Sequence, residues 1–249
     1  MVVKGRGMRL GMIAALMVAG AADAVHPAPA VALQATDADT EIAALDSDMA
    51  RAFAIDYATQ KDAKRDRFLS IRARAKAAAQ RFAAYPALAM RLHEIQGVAA
   101  FHAAQNNDPE WNDMEGEKAE IVWLNETVTL LAPSLAATGG AVGPHSEFRG
   151  AAGQLVTLGR RYEDPRLRRW SETRVLANRY RVKALPGDDF ESHLLVEALY
   201  DHGELTGDQV LIAEGDRIAA TITEADLRDA VRAMRAAVAA GDLPYATRD

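Results

Sequence analysis

Residues 191 to 202 read ESHLLVEALYDH, placing Glu191, His193, Glu197, Asp201 and His202 within one short stretch. Side chains of these types hold divalent metals, or act as general acid and base, when three or four of them converge on one point. Helical spacing argues against convergence here. At about 100° per residue, Leu194, Leu195, Ala198 and Leu199 draw an apolar face, and Glu191 and His202 fall on it about three turns apart. His193 and Glu197 fall on the opposite, polar face, so the two histidines point to opposite sides of the axis. What survives is an i,i+4 pair, His193 and Glu197, able to supply two ligands to a metal completed from elsewhere, with His26 or His145 as a third. The competing expectation is a solvated surface pair worth ~0.2–0.5 kcal/mol.

Other chemistry is sparse. The chain has no cysteine, which removes disulfides, thiolate metal sites and haem attachment through CxxCH. HExxH, ExxH, GxSxG, Walker A, GxGxxG and EF-hand patterns are all missing from the sequence, and no cofactor is implied. Glu191-Ser192 invites comparison with the catalytic Glu-Ser of lytic transglycosylases. The Pro186-Gly187 break and the lack of a Gly-Leu-Met-Gln run mean that no residue carries across. His102 continues the stripe of Leu92, Ile95 and Ala99, which reads as a hydrogen-bonded histidine at the core edge. His202, next to Gly203, reads as a cation at a helix C-terminus.

Charge is the organised feature. Residues 149–183 carry nine arginines and one lysine against three acids, and residues 184–216 carry nine acids with no Lys or Arg. A looser repeat of the theme sets basic 61–82 against acidic 108–126. Two readings compete. Basic and acidic helices can neighbour one another as antiparallel pairs joined by weak surface ion pairs. Alternatively the arginines form a contact surface for an envelope protein or an anionic envelope component. On that second reading the partner-binding residues are Arg160, Arg161, Tyr162, Arg166, Arg168, Arg169 and Trp170, which mix guanidinium groups with aromatic rings. The net charge of −6 gives no general attraction to nucleic acid.

The elements that position these residues follow from apolar spacing. Ile42, Leu45, Met49 and Phe53 recur at three and four, as do Phe68, Ile71, Ala75, Ala78 and Phe82, and then Leu88, Leu92, Ile95 and Ala99 after Pro86. Ile121, Leu124, Val128 and Leu131 draw a further stripe, which Pro133 is expected to end. Thr206 with Gln209, and Thr223 with Asp226, have capping-box spacing, and Gly241 stands where a last helix would stop. The fold class is therefore all-α, a multi-helix bundle or two small helical bundles stacked. The expected organisation is an N-terminal helical half over 37–132, a Gly/Pro-rich linker or loop over 133–150, and a C-terminal helical half over 151–249.

Ahead of these, residues 1–32 have the layout of a secretory signal peptide. Lys4, Arg6 and Arg9 precede an apolar run from Leu10 to Ala22, and small-residue cleavage patterns follow. That run is shorter than the ~20 residues needed to span a bilayer, and no second long run exists. The expectation is a periplasmic or secreted protein with no transmembrane span in its mature chain. Its expected role is an exported helical binding or structural module of the bacterial cell envelope. The alternative is a metal-dependent enzyme or metal carrier using His193 and Glu197.

Overall fold

A computed structural model describes residues 29–107, 114–140 and 142–240. The signal-like segment 1–28 and Gly241 lie outside the described residues. Among the described residues all regular structure is helical: α1 (Pro29–Phe53), α2 (Tyr57–Arg81), α3 (Pro86–Gln105), α4 (Met114–Ala137), α5 (His145–Arg161), α6 (Leu167–Ala184), α7 (Asp189–Thr206), α8 (Gln209–Ala219) and α9 (Ala225–Ala240). The all-α expectation holds. No helix among these residues is long and apolar enough to cross a membrane.

From α2 to α8 each helix packs on the next in sequence, α1 closes on α2 and α3, and α9 returns to α7. Short connections make successive helices antiparallel neighbours. The core is a chain of apolar clusters threading this row. Leu45, Phe68, Ile71, Leu92 and Ile95 join α1, α2 and α3. Leu124, Leu131, Phe148, Leu155 and Trp170 join α4, α5 and α6. Val175, Leu195 and Leu199 join α6 to α7, and Val196, Tyr200, Ile212 and Val231 join α7 to α8 and α9.

Several boundaries differ from the sequence expectation. α1 starts at Pro29 rather than near residue 37, because Pro suits a first helical turn and the alanines after it are strong helix formers. α4 runs through Pro133 to Ala137. At one turn from the end the proline removes a single rung, while Leu131 and Leu135 on either side of it are fully buried. The 133–150 stretch is therefore mostly the end of α4 and the start of α5, which pack on each other and share a cluster. Close approach of α3 to α4 needs a residue without a side chain at Gly97, where a Cβ would stand 2.8 Å from Leu131.

Caps also come from unforeseen places. Asp188 starts α7 by accepting from the Glu191 amide at 3.0 Å, and Gly207 ends it at φ 70°. Asp208, not the Thr206–Gln209 pair, caps α8, accepting from the Val210 amide at 2.9 Å. α9 takes its cap from another helix. The Asp189 carboxylate of α7 accepts from the Thr223 amide at 2.8 Å, the Thr223 hydroxyl at 2.6 Å and the Glu224 amide at 2.8 Å. Those donors would otherwise be orphans at a helix start, so one carboxylate ties α9 to α7.

The Thr223 hydroxyl, and then the Glu224 amide, hold the Asp189 carboxyl below its ordinary value of 3.8. A depressed carboxyl stabilises the fold fully above the unfolded value and loses that contribution as pH falls through the folded one. Asp189→Asn should therefore lower the melting temperature at pH 7, with the gap to the parent closing as pH falls below the ordinary value of 3.8. Melting curves followed by circular dichroism across that range test this, and a gap independent of pH would refute it.

Candidate functional site

Between α5, α6 and α7 the basic and acidic blocks of the sequence meet. Glu191 accepts from Arg149 of α5 at 2.5 Å and from Arg181 of α6 at 2.7 Å. Arg174 of α6 donates to Glu197 at 2.5 Å and to Asp201 at 3.4 Å. Arg160 of α5 donates to the other oxygen of Asp201. One turn further out on α6, Arg179 reaches Glu214 of α8 at 2.7 Å. The antiparallel pairing read from charge is thus observed, but the carboxylates of α7 that take part are interior, while the Arg179–Glu214 pair is exposed. Asp201 is 0% exposed, Glu191 4% and Glu197 7%.

The reason lies in the position of α7, which has α5 and α6 on one side and α8 and α9 on the other. Its Leu195 and Leu199 pack toward α6 and α8, and its Val196 and Tyr200 toward α8 and α9. The side of the wheel that reads as polar and solvent-facing is covered by arginines. The expectation of a solvated His193–Glu197 pair is therefore corrected: Glu197 is buried and held by Arg174. His193 is half-buried, and neither of its ring nitrogens has a hydrogen-bond partner. The Arg174 guanidinium occupies the carboxylate that would have to turn toward a metal. Among the described residues no group of three or more His, Asp or Glu is placed to hold a metal ion.

The other histidines separate likewise. His145, a suggested third ligand, is buried at the start of α5 with both ring nitrogens unpartnered. Burial, and then the nearby Arg181, push its pKa down. His26 lies outside the described residues. His202 is not a terminal cation, since α7 continues past Gly203 to Thr206. Its Nδ1 lies 3.2 Å from the Ser171 hydroxyl, and burial pushes its pKa below the ordinary value, favouring the neutral ring. His102 does sit at the core edge, against the rings of Phe53 and Phe68, but its buried Nε2 has no hydrogen-bond partner.

The seven arginine-segment residues divide into two groups. Arg160 is engaged by Asp201, Arg161 by Glu117 and Arg166 by Asp164. Arg166 also lies over the ring of Trp170, 4.6 Å from its centroid. Trp170 is itself buried, donating through Nε1 to Asn125 at 3.1 Å. Arg168 and Arg169, in the first turn of α6, are exposed and make no ion pair among the described residues. Tyr162, at the end of α5, is 37% exposed. The structure thus does not present these seven residues as one surface.

One titrating group escaped the sequence reading. Glu120 on α4 is half-buried beside the Glu117–Arg161 pair, and burial, then Glu117, push its pKa up to about 7. No motif marks it. Its position three residues after Glu117, just before the apolar run from Ile121, is its only signal.

Against known protein families, curated proteins and solved structures, the chain matches none.

The ladder makes a quantitative prediction. Asp201→Ala leaves the buried Arg160 without its carboxylate and takes one carboxylate from Arg174, so it should lower stability by about 3–5 kcal/mol. Asp201→Leu combined with Arg160→Met, which removes both charges, should recover most of that loss. Urea denaturation of the parent, the single variant and the double variant measures both steps. A double variant no more stable than Asp201→Ala would refute the account.

Proposed function

We propose that this chain is an exported, non-catalytic helical module of the bacterial cell envelope, and that it makes contact through the corner between α5 and α6. One observation carries the reading, which is the division of the arginines. Those facing α7 have carboxylate partners inside the protein, and Arg161 and Arg166 have partners nearby. Arg168 and Arg169 remain, adjacent, exposed and without an ion pair among the described residues, with Tyr162 exposed at the same corner.

Two neighbouring guanidiniums lacking an internal counter-charge make a local positive patch on a chain whose net charge is −6. Such a patch suits phosphate or carboxylate groups, which guanidinium binds in a bidentate fork. For an exported protein the nearest abundant source is the anionic lipid headgroup. The patch is small, and at about 1 kcal/mol per basic residue near a membrane surface it supports weak, salt-sensitive association.

Export rests on the signal-like N-terminus. Residues 1–40 fused to a reporter that matures only outside the cytoplasm should yield active reporter. Replacing Lys4, Arg6 and Arg9 with Glu should abolish that activity, and unchanged activity would remove export from the reading.

Contact at the α5–α6 corner is tested by co-sedimentation with phosphatidylglycerol vesicles, using phosphatidylcholine vesicles as the control. Arg168→Gln with Arg169→Gln should weaken sedimentation with the anionic vesicles roughly thirtyfold, about 2 kcal/mol, at an unchanged melting temperature. Equal binding by parent and variant would sink the assignment of that corner.

A further inference from the structure

A cavity of about 500 Å³ opens between α1, α3, the end of α4 and the start of α5. Its size falls within the ~300–1,000 Å³ range that holds small organic ligands. It lies apart from the α5–α6 corner, and its lining is of two kinds.

The first kind is apolar. Phe53, Ile95, Val98 and Val142 line the cavity. Phe53 is 46% and Val142 68% exposed, so this apolar surface stands open to water. The second kind is charged, and its members differ in how well they are satisfied. Glu94 accepts from Arg91 at 3.0 Å and from the Ser134 hydroxyl, and Asp46 accepts from Arg91 at 3.2 Å. One arginine therefore serves two of the three carboxylates.

The third carboxylate, Glu147, has neither Lys nor Arg paired with it among the described residues. Its basic neighbour is His102, 3.7 Å away, too long for a hydrogen bond and charged only when protonated. The Glu147 side chain is 23% exposed. Interaction with His102, helped by the local backbone and by His145, outweighs burial and keeps its carboxyl below the ordinary range. With Asp46, Glu94 and Glu147 against Arg91, the lining carries a negative excess.

A partly buried carboxylate without a full counter-charge gains from a cation. Its setting narrows the class of cation. Strongly hydrated inorganic ions want several oxygen ligands, and here Glu94 and Asp46 are already occupied. An aromatic ring and aliphatic walls beside a single carboxylate instead suit an organic ammonium, which the ring face also attracts, joined to hydrocarbon that covers the open apolar surface. We propose that this cavity binds a small amphiphilic amine, with its ammonium on Glu147 and its hydrocarbon along Phe53, Ile95 and Val98.

The test is isothermal titration of the purified protein with three probes of equal chain length: octylammonium, octanol and octanoate. Octylammonium is expected to bind saturably at one site and at least tenfold more tightly than octanoate. Glu147→Gln, which keeps the shape and removes the charge, should reduce octylammonium affinity at least tenfold and leave octanol unchanged. Val98→Phe, which fills the cavity, should weaken all three probes. If that variant fails to fold, the Glu147→Gln comparison decides alone. Non-saturable octylammonium binding, octanoate binding as tight as octylammonium, or full octylammonium affinity in Glu147→Gln would each overturn the proposal.

Discussion

The burial of charge between α5, α6 and α7 is the constraint on which the rest of the structure depends. Three carboxylates of α7 and four arginines of α5 and α6 leave water together. An unpaired charge in such a place costs several kcal/mol, far more than a misplaced methyl group. Apolar surfaces tolerate sliding, because leucine against leucine is nearly as good one turn away. Arginine against carboxylate is not. A one-turn slip of α6 along α7 would separate Arg174 from Glu197 and Arg181 from Glu191 at once, so the ladder acts on register where the apolar contacts act on cohesion. Complete burial pushes the Asp201 carboxyl up against the pull of Arg160 and Arg174, which marks how little margin that pair has.

With α7 held, the elements on either side have a fixed surface to build on. α8 and α9 pack on its far side through Tyr200, Ile212 and Val231, and the Asp189 carboxylate supplies the donors at the start of α9 with their acceptor. Toward the N-terminus, the cluster around Phe148, Leu155 and Trp170 passes the arrangement on to α4. There a smaller polar bridge repeats the device, with Glu126 of α4 accepting from Arg72 of α2 at 2.9 Å and from Gln96 of α3 at 2.5 Å. One pair, Arg72 with Glu126, thus joins the basic and acidic stretches of the N-terminal half. Asp48 of α1, accepting from Arg67 and Arg74 of α2, is a third instance.

Helices were legible in the sequence because apolar periodicity is local, and a stripe such as Phe68, Ile71, Ala75 and Ala78 needs no knowledge of its partner. The pairing of charge blocks was legible too, since an arginine-rich stretch followed by an acid-rich one across a tight turn has an obvious antiparallel solution. Which side of α7 faces water was not. A helical wheel equates polar with exposed, and that holds for a helix at the edge of a bundle but fails for one enclosed on both sides. Glu197 is polar and interior because Arg174 comes from 23 residues away. The α9 cap escaped for a related reason, its acceptor lying 34 residues upstream. His202 was misread because Gly203 looked like a helix stop, although a helical glycine can serve close packing instead. A Cβ on Gly203 would stand 2.7 Å from Ile212.

A basic stretch in sequence is not yet a basic surface. Nine arginines between residues 149 and 183 suggest a binding surface when counted, but a block followed by its complement neutralises itself as the hairpin closes. What reaches solvent is the remainder after folding. Arg168 and Arg169 stand at the first turn of α6, where the helix enters from the α5–α6 corner, and no acid of α7 or α8 is paired with either. Glu147 is the opposite case, a carboxylate beside an open apolar cavity whose basic neighbours are the histidines His102 and His145. Charged groups that folding leaves without a full counter-charge, Arg168, Arg169 and Glu147 among them, are open to one from outside. They mark where the molecule can gain most from something other than itself.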